Sequence, residues 1–144
     1  MLSTACKDAL RAMIYIAKQK LNGRDKYISI NEIANELDLS FYFLSKILQQ
    51  LVKAGFLESY RGPNGGVKLA KDPEDIKIID IVATIDGLSF FTDCVLGLDE
   101  CCDENPCPLH QKWVDKREDI YELFSGTSLK DILEDINKLK YVKL

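Results

Sequence analysis

Histidine and tryptophan occur once each in the 144 residues, as His110 and Trp113, and no run reaches the ~18 consecutive apolar residues of a membrane-crossing helix. The second absence excludes a membrane span, and the first leaves little for histidine-based acid-base catalysis. No glycine loop of the usual phosphate-binding forms is present. Lys7, Asp8 and Arg11 interrupt the first apolar stretch, so the pattern of a secretory signal is missing too. Repeats and low-complexity tracts are also absent. What remains is the expectation of a cytoplasmic protein that is not an enzyme. At 47% hydrophobic residues, the chain has enough for one domain with a core, or a small domain with an appended arm.

Cysteine, by contrast, is concentrated. Cys94, Cys101, Cys102, Cys107 and His110 fall within seventeen residues, which hold four of the five cysteines. In a reducing compartment such a group argues against structural disulfides and for metal or redox chemistry, and five is an awkward number for full pairing. Soft thiolates with one imidazole suit iron-sulfur clusters and tetrahedral zinc alike. The plain alternative is a set of reduced thiols in a surface loop. Cys6 stands apart beside the first apolar stripe and is expected to be a small packed side chain.

A net charge of -4 is unpromising for a nucleic-acid partner until it is divided. Residues 1–72 carry eleven Lys/Arg against seven Asp/Glu, a net of +4, while residues 73–144 carry eight against sixteen, a net of -8. Only the first half suits a phosphate backbone.

That half also has the pattern for it. Leu10, Met13, Ile14, Ile16, Ala17 and Leu21 predict an apolar stripe on a first helix ending near Asn22-Gly23. Ser29 and Glu32 have capping-box spacing for a second helix to about Leu37. Asp38-Leu39-Ser40 reads as a turn, and Leu44, Ile47, Leu48 and Leu51 mark a third helix closed by Gly55. Two short helices across a tight turn form a helix-turn-helix. Strand-like flanks around Gly62-Pro63-Asn64-Gly65-Gly66 then predict a hairpin, the wing, with Asn-Gly tolerating positive φ at its tip. Phe41, Tyr42 and Phe43 open the recognition helix; the plain reading is that one or two of them pack inward, the functional one that they face DNA. Ser40, Tyr42, Phe43, Ser45 and Lys46 on that helix, with Arg61, Gly62, Pro63, Asn64 and Gly65 in the wing, are the candidate DNA contacts.

Beyond the wing, Asp72-Pro73-Glu74-Asp75 predicts a helix start continued by Ile76, Ile79, Ile81, Val82 and Ile85 and stopped by Gly87. A loop over about 89–110 follows. Leu109, Trp113, Ile120, Leu123 and Phe124 mark a longer helix whose stripe either packs within its own chain or is covered by a second copy of it. Ser125-Gly126-Thr127-Ser128 breaks it, and Leu129, Ile132, Leu133, Ile136 and Leu139 mark the last helix. The fold expected is mainly α with a small β-hairpin: a winged helix-turn-helix domain over 1–72, then a cluster-binding loop and dimerisation helices over 73–144.

Taken together, the helix-turn-helix, the wing from Arg61 to Gly66 and the spacing Cys101-x5-Cys107-x2-His110-x2-Trp113 resemble the Rrf-two family of winged-helix transcriptional regulators. The similarity runs from Leu10-Arg11 to Thr127-Ser128-Leu129, and the histidine brings it nearer the IscR branch than the NsrR branch. It implies a homodimer on a double-stranded DNA operator, with no membrane partner. It further implies an iron-sulfur cluster, two-iron in preference to four-iron, on Cys94, Cys101, Cys107 and His110. Two features depart from the pattern. Six residues separate Cys94 from Cys101, where the IscR branch has five, and Cys102 is an extra thiol that offers an alternative to Cys101. Asp8 lies one place from a position where NsrR-like members can take a ligand from the partner subunit, so it is an alternative there. Ser45 stands where the IscR branch has a glutamate implicated in promoter choice, so cluster-dependent switching of sequence preference is not among the expectations. The functional expectation is a cluster-dependent regulator sensing cluster supply, redox state or nitric oxide. The alternatives are a zinc- or thiol-based redox repressor and a small iron-sulfur electron carrier.

Overall fold

A computed structural model describes residues 1–136; Leu139 lies outside them. The first helix, α1 (Thr4–Leu21), begins where the Ser3 hydroxyl accepts from the Cys6 amide at 3.0 Å. It buries Cys6, Ala9, Ala12, Met13, Ile16 and Ala17, more than one stripe, because neighbours cover it from two sides. The small side chains at three of these positions let those neighbours approach closely. Leu21, expected on the stripe, is exposed at the end of the helix instead.

On one side lie α2 (Ile30–Leu37) and α3 (Phe41–Lys53). Ser29 caps α2 through the Glu32 amide at 3.1 Å, but the reciprocal half of the expected capping box is replaced. The Glu32 carboxylate accepts both guanidinium nitrogens of Arg24, at 2.6 and 2.8 Å, and a charged bidentate donor outcompetes a backbone amide. Asp38 ends α2 in the left-handed conformation, the only residue other than glycine to adopt positive φ among the described residues. Arg11 crosses from α1 to donate to the Leu37 carbonyl at 2.9 Å, satisfying an acceptor the helix end leaves open. Ser40 then caps α3 through the Phe43 amide.

The wing is an antiparallel pair, β1 (Leu57–Tyr60) with β2 (Gly66–Leu69), in the register Leu57 opposite Leu69 and Tyr60 opposite Gly66. Its tip differs from the Asn-Gly expectation: positive φ falls on Gly62 and Gly66, and the Gly65 amide closes a turn on the Gly62 carbonyl at 2.9 Å. A third backbone segment joins the other edge of β2, where Ile28 exchanges hydrogen bonds of 2.8 and 2.9 Å with Val67. The approach is so close that a Cβ on Gly66 would lie 1.9 Å from the Ile28 carbonyl oxygen.

On the far side of α1 sit α4 (Ile78–Ile85) and α7 (Leu129–Ile136). The single helix expected from Asp72 is divided: Pro73–Asp75 makes one 3-10 turn, and Ile76 is extended before α4 starts. The reason is non-local. Ile78 donates to Thr127 and Leu129 donates to Ile76, each at 3.0 Å, so this backbone is used to clasp the later helices. Ser128 and Asp131 form a reciprocal cap on α7, and these hydrogen bonds from the Ser128 amide and hydroxyl hold the Asp131 carboxyl below its usual range. Leu129, Leu133, Ile76 and Ile81 are fully buried, each worth roughly 1.5–3 kcal/mol of burial. A short α5 (Ser89–Thr92) interrupts the expected loop, and α6 (His110–Gly126) follows it.

Candidate metal centre and nucleic-acid interface

The segment between α5 and α6 folds back so that Cys94, Cys101 and Cys107 place their sulfurs within 4.8 Å of one another. Cys94 Sγ lies 3.6 Å from Cys107 Sγ, and Cys101 Sγ lies 3.2 Å from His110 Nδ1. The Cys107 amide points at Cys101 Sγ at 3.4 Å. Cys102 is exposed and outside the group; its backbone pairs with Asn105 in a tight turn. Asp8 is buried on α1, ion-paired to Arg11 at 3.3 Å, and is not part of the group in its own chain. Cys6 is fully buried, and burial, with the nearby Asp86 carboxylate, pushes its thiol up to about 11.

Donors aimed at sulfur make the loop hospitable to thiolate. Cys94 is pulled down to about 7 by the Leu98 amide first, then the Leu96 amide and the thiols of Cys107 and Cys101. At Cys101 the Cys107 amide lowers the pKa, but desolvation and the two neighbouring thiols outweigh it and carry it up. Three thiols this close cannot all ionise cheaply without a cation among them. His110 Nε2 is 2.9 Å from Asp103 Oδ1, a partner for the ring that the cysteine pattern alone does not reveal.

The loop is tied to α6 by aromatic packing and by two long donors. The Phe90 ring meets Trp113 edge-on at 5.4 Å, and Phe91 meets Tyr121 at the same distance. Trp113 Nε1 donates to the Asp93 carbonyl at 3.0 Å, and Arg117 donates to the Thr92 and Asp93 carbonyls at 2.8 and 3.1 Å. The residue just before the first thiol is thus held by the helix that begins with the histidine. No residue of α6 is buried, and Leu123 is 62% exposed, with Leu109 and Tyr121 also open.

At the start of α3, Phe41, Tyr42 and Phe43 are all exposed, so the plain alternative of inward packing does not hold; Leu44, Ile47, Leu48 and Leu51 fill the core without them. Tyr42 is 70% exposed, and the Lys46 ammonium sits 4.4 Å from its ring centroid. The Ser40 hydroxyl is occupied as a cap and Ser45 donates to the Phe41 carbonyl at 2.7 Å, which leaves each an acceptor for a further contact. Arg61, Gly62, Pro63 and Asn64 are exposed at the wing tip, with Gly65 half-buried. An open groove between α3 and the wing is lined by Phe41, Ser45, Gln49, Lys53, Arg61 and Pro63. Gln49 was not singled out by sequence pattern, although it lies one turn beyond Ser45 on the same face.

A capped helix-turn-helix with an exposed recognition helix beside a hairpin wing defines a winged-helix DNA-binding transcriptional regulator. No helix among the described residues is long and apolar enough to cross a membrane. Residues 2–135 match the Rrf2 family, described as an iron-dependent transcriptional regulator, and the chain belongs to that family. NsrR of Halalkalibacterium halodurans is 29% identical over 133 residues, covering 92% of this chain and 89% of its own. The structure of CymR, the global cysteine regulator of B. subtilis, matches with a TM-score of 0.77 at 25% identity, over 93% of this chain and 96% of that one. IscR of T. potens matches with a TM-score of 0.73 at 26% identity, over 100% of this chain and 93% of the other. These relatives are regulators of transcription, a non-enzymatic role.

Proposed function

We propose that the chain is a homodimeric regulator whose affinity for a double-stranded DNA operator is set by an iron-sulfur cluster on Cys94, Cys101, Cys107 and His110, two-iron in preference to four-iron. The convergence of three thiols, with an imidazole nitrogen 3.2 Å from the sulfur of Cys101, carries this reading, and the donor set fits the group: soft sulfurs that accept from backbone amides, with a borderline nitrogen beside one of them. When bound, the cluster supplies one-electron chemistry and an iron that oxidants or nitric oxide can attack. The protein's part is to hold the loop: Trp113 and Arg117 fix the Asp93 end, and His110 opens α6. Dimerisation through α6 is supported by Leu109, Tyr121 and Leu123, which stay exposed while Ile120 and Phe124 pack on the chain's own core. Residues 1–72 then serve as the DNA-contacting part and 73–144 as sensor and dimer contact, in the cytoplasm.

Protein purified without oxygen should be coloured and contain iron and sulfide; colourless protein with stoichiometric zinc would overturn the proposal. Against duplexes selected from a random pool by the loaded protein, removing the iron should change affinity by about 5–150-fold, the usual span of coupling between sites. Equal affinity with and without iron would sink the sensing role. The Arg61→Ala protein should bind the same duplexes more weakly, with the slope of log affinity against log salt reduced by about one. An unchanged slope would remove Arg61 from the interface.

A second reading has its own observation. Cys94 and Cys107 place their sulfurs 3.6 Å apart, and CymR, the global cysteine regulator, shares the fold, which together favour a thiol-based redox switch. Iron-free protein with a reversible Cys94–Cys107 disulfide, and DNA binding that follows it, would select this reading.

A further inference from the structure

His110 has two ring nitrogens, and the fold gives each a different neighbour. Nδ1 lies 3.2 Å from the sulfur of Cys101, one of the three clustered thiols, and Nε2 lies 2.9 Å from Asp103 Oδ1. The imidazole is 10% exposed and the carboxylate 97%, so the ring is enclosed while its partner reaches in from the surface. Asp103 is not placed there by a wandering side chain. It sits inside the turn closed by the Asn105 amide on the Cys102 carbonyl at 3.1 Å, and the Asn105 side chain ties that turn to the Glu100 carbonyl at 3.3 Å. Asp99, Glu100 and Glu104 are further acids of the same loop, and Asp103 is the one in contact with the ring.

An imidazole binds metal through an unprotonated nitrogen, so its proton must occupy the other, and an acceptor there fixes both tautomer and ring rotation. We infer that Asp103 is a positioning residue of the metal centre: it accepts from Nε2–H and so presents the Nδ1 lone pair to a metal held with Cys94, Cys101 and Cys107. The inference rests on the proposed ligand set and adds to it a residue that touches no metal. It also gives the exposed Cys102 a place in the site, since the backbone of Cys102, and not its sulfur, forms the turn that carries Asp103.

Cobalt(II), added to reduced metal-free protein without oxygen, is a suitable probe, because thiolate-bound cobalt absorbs strongly and its affinity can be measured against a chelator. Asp103→Ala should weaken binding by about 10–100-fold, the usual effect of losing such a partner. Asp103→Asn, whose amide oxygen still accepts from Nε2–H, should restore most of it. Glu104→Gln, which removes the same charge from the same loop, should change little. In a His110→Ala background the Asp103→Ala change should cost nothing further. Equal affinities for wild type and Asp103→Ala overturn the inference, as does an equal loss in the His110→Ala background or an equal loss with Glu104→Gln. A wild-type protein without thiolate-cobalt absorption overturns the ligand set itself, which separates that failure from this one.

Discussion

Cys101→Ala protein prepared without oxygen is expected to hold iron at background level, whereas Cys102→Ala protein keeps the wild-type content and spectrum. The two thiols are adjacent, yet only Cys101 lies among the other donors, within 4.8 Å of both Cys94 and Cys107 and 3.2 Å from His110 Nδ1. Neighbouring side chains in extended or turning backbone point to different sides. The turn between Cys102 and Asn105 fixes which side each takes. For Cys102 to replace Cys101, that turn would have to open and the Cys107 amide would lose its contact with Cys101 Sγ. Iron and sulfide analysis with absorption spectra of both variants decides the matter. A normal spectrum in Cys101→Ala and a lost one in Cys102→Ala would reverse the assignment. Retention in both would argue that the two thiols substitute for each other.

Gly66→Ala should disable DNA binding by a route that involves no DNA contact. The new methyl would meet the Ile28 carbonyl oxygen at 1.9 Å and its carbonyl carbon at 2.3 Å, both backbone atoms that cannot step aside as a side-chain tip can. Relief requires the Ile28 segment to separate from β2, which breaks the two hydrogen bonds between Ile28 and Val67. At about 1 kcal/mol each, their loss costs about 2 kcal/mol before any repacking of the buried Ile28 and Val67 is counted. Chemical unfolding should show a lowered midpoint. Circular dichroism should keep the helical signal, and the selected duplex should bind at least tenfold more weakly, on the order of the 1.4 kcal/mol that corresponds to a factor of ten. Iron content should stay at the wild-type level because the metal loop is held by Trp113 and Arg117 of α6, which the substitution leaves in place. Unchanged stability in Gly66→Ala would show that the strand pairing contributes little.

Local signals were legible in the sequence where local chemistry decides the outcome. Ser29 and Gly55 bound the start of α2 and the end of α3 through hydrogen bonds within four residues of themselves, and the structure places those helix ends where such capping predicts. The concentration of cysteines in one segment was equally plain. Pairings between distant backbones were not. Ile28 joins β2 through a single residue in a stretch that reads as a polar loop, and the short pairing has no run of β-formers to announce it. The division of the Asp72–Ile85 region follows from a partner some fifty residues later, Thr127–Leu129, which periodicity within a window cannot include. Short-range aromatic packing of Phe90 and Phe91 makes α5 within what reads as loop. Asp103 was hidden for a different reason: it is one acid in an acidic loop, and only the folded turn distinguishes it from Glu104.

The clasp at Thr127–Leu129 and the histidine at the head of α6 stand at opposite ends of one helix of 17 residues, a rod of about 26 Å at 1.5 Å per residue. A helix of that length neither stretches nor shortens appreciably. In the sensing role proposed above, a shift of the loop at His110 would be carried along this rod toward the clasp as rotation or tilt. In the proposed homodimer, ångström-scale movements at the histidine would thereby alter how its two recognition helices are spaced along a duplex.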